Sequence, residues 1–286
     1  MGLTPLSHGN DRAAEALNCR HWNDRALIHA RDATGFYRIE ECRAGGDTLT
    51  PIEAGELGDL SGLSVLHLQC HLGLDTLSLA RRGARACGID FSTVAIAFAQ
   101  RLAAETGLAA HFVEGDVHDV RALVGGRFNL VFASWGVLCW VADLAPWCRA
   151  AAAMLRPGGR LYLADDHPGA ATLRQTSGAD GGPVYVFVPP WRTWPAEPLA
   201  LEVSQSYTGD PAPIAHTACR QWLHPFSELF GGLLGAGFRI DFLHEHESVP
   251  WRRFAALEPG EAGLWRFPAG VSGPPLAFSL AATLAG

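Results

Sequence analysis

The stretch SVLHLQCHLGLDTLSLARRGARACGID, residues 64–90, decides the fold class of the chain. It begins with a short apolar run, passes through a turn ending at Gly73 into a helical pattern, and returns to a second apolar run that ends at Asp90. Apolar runs without polar alternation are typical of parallel strands whose two faces are both covered by helices. The stretch therefore predicts a strand–helix–strand unit of a parallel sheet.

The same alternation continues to about residue 164. Ser92 has the position of an N-cap for a helix that ends at Gly107. Strands are then predicted at 110–114, 128–133 and 160–164, with helices at 117–123 and 143–155 between them. Further along, the sequence predicts a helix at 225–234 and strands at 238–244 and 276–283. The order predicts an α/β fold with a doubly wound sheet.

Three segments stand outside this alternation. Residues 1–62 contain an amphipathic helix or helix pair over 11–31 and a connecting segment over 35–62 that is rich in turn formers. Residues 168–215 are rich in proline, so we interpret them as an inserted cap with a hairpin within the domain at 63–286. Residues 248–275 are predicted to form a lid loop carrying several aromatic side chains.

Composition excludes several classes of function. The chain has 286 residues, a net charge of −7 and 22 basic residues, and every one of these is arginine. Without lysine there is no Schiff-base chemistry and no Walker phosphate loop. An acidic chain without a basic run is a poor partner for nucleic acid or an anionic membrane. The seven cysteines are scattered, and the N-terminus lacks a signal peptide, so we expect a cytoplasmic protein with reduced thiols.

Four motifs follow one another at the ends of predicted strands. The first is the turn Gln69–Gly73, where backbone N–H groups and a helix N-terminus converge, as at nucleotide sites of α/β sheets. Asp90 ends the second strand, where a carboxylate accepts ribose hydroxyls. Asp116 follows the third strand and has the position to accept an adenine amino proton. The fourth motif, LRPGG at 155–159, stops a helix and turns into the fifth strand.

The run from about 62 to 166 resembles the class I S-adenosylmethionine-dependent methyltransferases, which carry these four motifs in this order. The resemblance implies a mostly parallel seven-stranded sheet with an antiparallel C-terminal hairpin. It also implies S-adenosyl-L-methionine as cofactor and methyl transfer to oxygen or nitrogen of a small, partly apolar acceptor. Residues 217–284 are similar to a bacterial subgroup of small-molecule methyltransferases whose acceptors are mostly unassigned.

The resemblance also implies a cofactor site. In it the turn holds the methionine end, Asp90 the ribose and Asp116 the adenine, while Arg25 pairs with the methionine carboxylate. The implied set comprises Trp22, Arg25, Gln69, Cys70, His71, Gly73, Asp90, Phe91, Ser92, Asp116, Val117, Ser134 and Trp135. Two alternatives stay open, namely that Trp22 only packs while Arg25 is a surface cation, and that Trp135 lines the acceptor pocket instead of lying over the adenine.

The turn departs from the family pattern. His67, Gln69 and His71 stand where the family has an acidic residue and two glycines. Either the cofactor is held by substituted contacts or the site has decayed, which would leave a catalytically inactive ligand-binding protein. A nicotinamide-dependent dehydrogenase is a further alternative, but the turn lacks the G-x-G-x-x-G pattern.

The acceptor side is predicted at the end of the fifth strand. Asp166 and His167 are the catalytic candidates there, because an imidazole or carboxylate can take a proton from a hydroxyl or amine. The alternative is that His167 only hydrogen-bonds the cap. Adjacent strand residues point to opposite faces, so Asp165, Asp166 and His167 do not predict a metal site. His244 and His246 are interpreted as sheet-face or pocket-wall residues.

Overall fold

The computed structural model describes residues 9–179, 181–188 and 190–286, with the backbone alone for residues 9–12. The helices are α1 Gly9–His29, α2 Ile39–Arg43, α3 Pro51–Glu56, α4 Leu74–Arg81, α5 Thr93–Thr106, α6 Val120–Leu123, α7 Leu144–Met154, α8 Pro168–Ala171 and α9 Phe226–Gly235. The strands of the main sheet are β1 Ser64–Leu68, β2 Arg85–Asp90, β3 Ala110–Glu114, β4 Phe128–Ser134, β5 Leu155–Asp166, β10 Phe238–His246 and β14 Ala277–Leu284.

These strands form a seven-stranded sheet in the order β10-β14-β5-β4-β1-β2-β3. The pairs from β5 through β4, β1 and β2 to β3 are parallel, whereas β14 runs antiparallel to both β5 and β10. The order reverses at β1, which lies between β2 and β4, so the carboxyl ends of these strands open a crevice for a ligand. The predicted fold class is confirmed.

Local signals determine several helix ends. Ser92 is the N-cap of α5, where its hydroxyl oxygen accepts from the N–H of Ala95 at 3.1 Å, and Gly107 ends the helix with φ of +67°. Asp143 caps α7 in the same way through the N–H of Ala145. The predicted boundaries of these helices were therefore accurate, because each end depends on residues next to it in sequence.

The sheet is buried on both faces. Leu66 and Leu68 of β1 face one side and pack in a cluster with Trp147 of α7 and Leu233 of α9. Val65 faces the other side and packs in a second cluster with Leu79 of α4. This alternation within one apolar strand is the reason β1 reads as continuously apolar in sequence.

The segments outside the alternation are more structured than predicted. The connecting segment 35–62 contains α2 and α3. The cap holds two small sheets, one pairing β6 Leu173–Ser177 with β7 Pro183–Phe187, the other pairing β8 Leu199–Glu202 with β9 Ala218–Gln221. Because β9 follows residue 215, the cap structure extends beyond the predicted boundary. The lid loop contains the short strands β11 Ser248–Val249, β12 Glu258–Pro259 and β13 Trp265–Arg266.

Residues 1–8 of the predicted N-terminal segment and residues 180 and 189 of the predicted cap lie outside the described residues. Within the described ranges, no helix combines the length and the apolar character needed to cross a membrane.

Substitution of Gly73 by alanine tests whether the turn after β1 is closely packed. It has φ of +76°, and an added β-carbon would lie 2.5 Å from the Phe112 ring, whereas Gly62 has φ of +72° with open space around it. A left-handed conformation costs alanine roughly 1–2 kcal/mol, and overpacking adds about 1–3 kcal/mol. We expect urea denaturation to show a loss of about 1–2 kcal/mol for Gly62→Ala and about 2–5 kcal/mol for Gly73→Ala. Equal losses would contradict the role of packing.

Candidate active site

The turn after β1 keeps a backbone conformation that favours glycine. Gln69 and His71 have φ of +54° and +48°. The Gln69 amide donates to the Val137 carbonyl at 3.1 Å, and its oxygen accepts from the Trp147 indole at 3.0 Å. The His71 ring turns toward α1, where its centroid lies 5.1 Å from that of Trp22. The two side chains that replace glycines thus leave the turn in different directions, Gln69 toward α7 and His71 toward α1.

His67 and Cys70, on either side of Gln69, form contacts that hold the turn against α4 and β2. His67 is buried, with Nδ1 hydrogen-bonded to the Thr76 hydroxyl at 2.9 Å, and burial lowers its pKa to about 3. The N–H of Cys70 donates to the Ile89 carbonyl, which ties the turn to β2. The Cys70 sulfur packs against Gly88, where a β-carbon would lie only 2.7 Å from it.

Asp90 lies at the carboxyl end of β2 and joins the turn to α5. One carboxylate oxygen accepts the N–H of His71 at 2.9 Å, and the other accepts the N–H of Ser92 at 2.9 Å. Burial raises the pKa of Asp90 to about 6, although these two bonds oppose the rise. Each oxygen retains a further lone pair for a ligand hydroxyl. Between Asp90 and Ser92, the Phe91 carbonyl accepts from the Cys19 thiol of α1.

Asp116 lies after β3, beside the same crevice. Its Oδ1 accepts both the N–H of His118, at 2.8 Å, and the His118 ring, at 2.7 Å, while the adjacent Val117 packs into the core. Burial raises the pKa of Asp116, but the hydrogen bonds from His118 outweigh it and the net direction is downward. Asp116 thus stays ionised. Both of these bonds are made to the same oxygen, Oδ1. Glu15 completes a group of three possible metal-ligating side chains with these two, their ligand atoms within 4.8 Å.

Arg25 is a buried cation above the turn. Its side-chain carbon Cζ lies 5.0 Å from the Trp22 ring, 5.8 Å from the Trp140 ring and 5.2 Å from the Tyr207 ring. Its Nε is buried without a hydrogen-bond partner, and in the described part of the chain no carboxylate pairs with this guanidinium. The residue is 6% exposed, which contradicts its interpretation as a surface cation.

A buried polar network fixes α1 and the cap above the turn. His29 of α1 hydrogen-bonds His71 at 2.8 Å through Nδ1 and Ser206 of the cap at 2.8 Å through Nε2. Tyr37 contacts both His29 and Tyr207 through its hydroxyl group. Burial lowers the pKa of His29 far below its usual range and that of His71 to about 3, so both rings are neutral. Among the described residues of this network and its surroundings, Arg25 therefore supplies the positive charge.

The side chains of Ser134, the last residue of β4, and Trp135, which follows it, contact two carboxyl groups, of which that of Glu53 is fully buried. Trp135, with φ of +57°, donates its indole N–H to Glu53 of α3, and the Ser134 hydroxyl donates to Asp75 at 3.4 Å. Burial and the Asp75 carboxylate raise the pKa of Glu53 to about 8, while burial raises the pKa of Asp75 to about 6. Ser134 and Trp135 are thus held toward α4 and α3. Their cofactor contacts stay predictions.

The two catalytic candidates at the end of β5, Asp166 and His167, differ in their contacts. The Nδ1 atom of His167 accepts the N–H of Gly169 as the N-cap of α8, so its Nε2 carries the proton toward Glu245, at 2.9 Å. Neither nitrogen of His167 then has a lone pair for a substrate proton, which favours the alternative of a structural role. Asp166 instead forms an ion pair with Arg253 through Oδ2, and its Oδ1 is buried without a partner.

A cavity of about 60 Å³ lies beside Asp166, between the cap and the ends of β4 and β5. Its wall includes Asp165, Trp191 and Trp222.

Several residues that contact the predicted site residues carry no sequence motif and were missed in the sequence analysis: Tyr37, Glu53, Asp75, Tyr207 and Arg253. His244 and His246 contact Glu56 at 2.7 Å and Ser279 at 2.8 Å, as expected of sheet-face residues.

Known proteins share both the sequence and the fold of this region. Residues 65–159 match a family described as "Methyltransferase domain". The ubiquinone biosynthesis O-methyltransferase of Methylobacterium sp. (strain 4-46) is 33% identical over 178 residues, which cover 62% of this chain and 64% of that protein. The chain thus matches a little under two thirds of this relative's length.

Solved structures show the same fold at lower identity. A putative S-adenosylmethionine-dependent methyltransferase from Listeria monocytogenes superposes with a TM-score of 0.56 at 18% identity, over 82% of this chain and 96% of that one. The glycopeptide N-methyltransferase MtfA complexed with S-adenosyl-L-methionine gives a TM-score of 0.51 at 18% identity, over 87% and 94%.

The reversed last strand and the crevice at the strand ends define a class I methyltransferase fold. Residues 65–159 accordingly match a methyltransferase domain, and the chain has the fold of S-adenosylmethionine-dependent methyltransferases of known structure. The resemblance inferred from its four motifs is confirmed.

The buried Glu53 predicts an unusual pH dependence of stability. Its pKa of about 8 in the folded chain exceeds the ordinary value of 4.5, so its contribution is complete below pH 4.5 and is lost as pH rises through 8. We expect the free energy of unfolding to fall by about 4 kcal/mol on this account between pH 4.5 and 8. Glu53→Gln, which mimics the protonated carboxyl group, removes this loss. If the free energy of unfolding fell equally with pH in both proteins, the assignment to Glu53 would be contradicted.

Proposed function

We propose that this protein binds S-adenosyl-L-methionine along the carboxyl edge of its sheet and methylates a small, partly apolar acceptor at oxygen or nitrogen. The observation that carries the proposal is the buried Arg25 guanidinium above the turn, because an ion buried without a counterion is costly unless a ligand supplies one. The planar guanidinium matches a carboxylate such as that of the methionine moiety.

The chain's own residues fit the parts of this ligand. Asp90 accepts hydroxyl donors at the end of β2, and Asp116 accepts an amino donor at the end of β3, which are adjacent strands. His29 and His71 are neutral and leave the anionic end to Arg25. S-Adenosylmethionine, when bound, supplies an electrophilic methyl group on a positively charged sulfur. The cap and the Trp22 and Trp140 rings exclude water from this region.

A second candidate function is ligand binding without turnover. The observation in its favour is the His71 ring, which occupies space between the turn and α1 beside Trp22 and Tyr37. Calorimetry with S-adenosylmethionine, S-adenosylhomocysteine and NAD tests both candidates. Binding of neither sulfur nucleotide would refute the proposed function, whereas binding without methyl transfer to any acceptor of a broad panel would favour the second candidate.

The cytoplasmic location and the lack of nucleic-acid and membrane partners stay predictions from composition. The same holds for the roles of the individual cofactor residues. The named activities of the similar proteins, O-methylation in ubiquinone biosynthesis and N-methylation of a glycopeptide, support oxygen or nitrogen as the acceptor atom.

Arg25→Met distinguishes binding of the amino-acid end of the cofactor from binding of its nucleoside end. We expect this variant to fold at least as stably as the parent, because a buried unpaired charge is replaced by an apolar chain of similar length. Its affinity for S-adenosylhomocysteine falls at least about tenfold, the scale of a lost charged hydrogen bond. Its affinity for 5′-methylthioadenosine, which lacks the amino-acid end, does not change. Equal losses for both ligands, measured by calorimetry, would show that Arg25 acts only through the fold.

Asp90→Ala tests the nucleoside end. We expect it to weaken S-adenosylhomocysteine and 5′-methylthioadenosine alike by roughly 1–3 kcal/mol, because the ribose loses a charged acceptor and the turn loses its bond from His71. Calorimetry on both ligands and a denaturation curve are the measurements. Unchanged affinity in a folded variant would place the ribose elsewhere.

A further inference from the structure

The β6–β7 hairpin of the cap carries an exposed apolar stretch. Six of the eleven large apolar side chains that are exposed in the described part of the chain lie between residues 184 and 194. Four of them belong to β7 or directly follow it, namely Val184, Val186, Phe187 and Val188, and Phe187 is 57% exposed. Single exposed apolar residues are common on soluble proteins, whereas a contiguous group marks a surface that another molecule covers.

The strand β7 forms a free edge of this hairpin. Within the described ranges, β7 pairs with β6 alone. Next to the ladder, the Val188 N–H donates to the Thr172 carbonyl at 2.8 Å. Because backbone groups alternate in direction along an antiparallel pair, the even-numbered residues of β7 bond to β6. The N–H and C=O groups of Tyr185 and Phe187 therefore point away from β6, toward the free edge.

The lid loop fixes the hairpin on one face. The Tyr185 ring packs against the rings of Phe254 and Phe267, with centroids 5.1 and 5.3 Å away. Leu173 of β6 packs against the same cluster. Because side chains alternate along a strand, Val186 points to the opposite face. The edge of β7 is thus held in position by contacts on one face of the hairpin.

The stretch around β7 has no charge that would oppose a second copy of itself. Residues 181–191, GGPVYVFVPPW, contain no charged side chain, although the chain has a net charge of −7. Two acidic chains repel each other, so they approach at least cost where neither carries a charge. Prolines at 183, 189 and 190 flank the apolar residues in sequence, and proline has no N–H to donate. Pairing with another strand is therefore limited to this short segment.

We propose that β7 pairs antiparallel with β7 of a second copy of this chain, across a twofold axis beside Val186, so that the two hairpins form one continuous sheet. This inference does not depend on the proposed methyltransferase function. In this register, Tyr185 of each copy exchanges both backbone bonds with Phe187 of the partner subunit. A shift by two residues toward the start of the strand would bring Pro183, which has no N–H, opposite Phe187 and lose a bond in that pair.

The same register also matches the side chains. Val186 lies opposite Val186 of the partner subunit, and Val184 lies opposite Val188 of the partner subunit, so valine meets valine along this face. On the other face, the exposed Phe187 lies opposite the partner's Tyr185 and extends its aromatic cluster. Pairs of β-branched and of aromatic residues stabilise neighbouring strands. The segment is therefore complementary to itself, which favours a second copy as its partner.

Sedimentation velocity of the full-length protein over a range of concentrations tests the pairing. One strand from each copy buries less than the roughly 1,600 Å² of a standard interface, so we expect the dimer to dissociate on dilution. The expected result is twice the mass of one chain at roughly 100 μM and the mass of one chain at roughly 0.1 μM.

Val186→Lys and Val186→Asp test the register. Each variant alone places two like charges directly opposite each other, so we expect the dissociation constant of the dimer to rise at least about tenfold. An equal mixture of the two variants places opposite charges there, and we expect it to recover the dimer. Leu234→Lys is the matched control, because Leu234 is 61% exposed but lies on α9, outside the hairpin. We expect it to sediment as the parent does.

Circular dichroism of each variant shows whether it is folded, and the masses then decide. A single-chain mass at every concentration would overturn the proposal, and co-sedimentation of that monomer with vesicles of phosphatidylcholine and phosphatidylglycerol would assign the strand to a lipid surface instead. A dimer that persists in both Val186 variants, or that Leu234→Lys also loses, would place the interface elsewhere. A dimer that the mixture does not recover would refute the register centred on Val186.

Discussion

The two hydrogen bonds that Asp90 accepts are the constraint on which the site depends. They join the end of β2 to the turn after β1 and to the start of α5, so that three elements meet at one carboxylate. The turn can therefore keep left-handed backbone at Gln69 and His71, although neither is glycine. The strain of these two residues is offset by bonds made at this point and by the contacts of the Gln69 side chain with Trp147 and Val137.

The parts of the fold that depend on neighbouring residues were predictable from sequence. The ends of α5 follow from Ser92 and Gly107, and the position of Asp90 follows from the end of an apolar strand. Contacts between distant parts of the chain were not predictable. The bond from Trp135 to Glu53 joins residues far apart in sequence, and no pattern around Glu53 marks it as buried.

The acceptor side shows the same limit more clearly. The sequence indicates an Asp-Asp-His cluster at the end of a strand, and the imidazole is the obvious base. The structure uses His167 to cap α8 and to contact Glu245, whereas Asp166 retains an unpaired oxygen because Arg253, far along the chain, occupies only one side of the carboxylate. Which of the two groups remains free depends on partners that the motif does not contain.

The bond between His29 and Ser206 joins α1 to the cap directly above the turn. A movement that lifts α1 away from the crevice therefore pulls on the cap, and a movement of the cap pulls on α1. Asn18 and Asp24 of α1 also hydrogen-bond Arg220 and His216, so the helix and this part of the chain are joined at several points and form one wall beside the crevice.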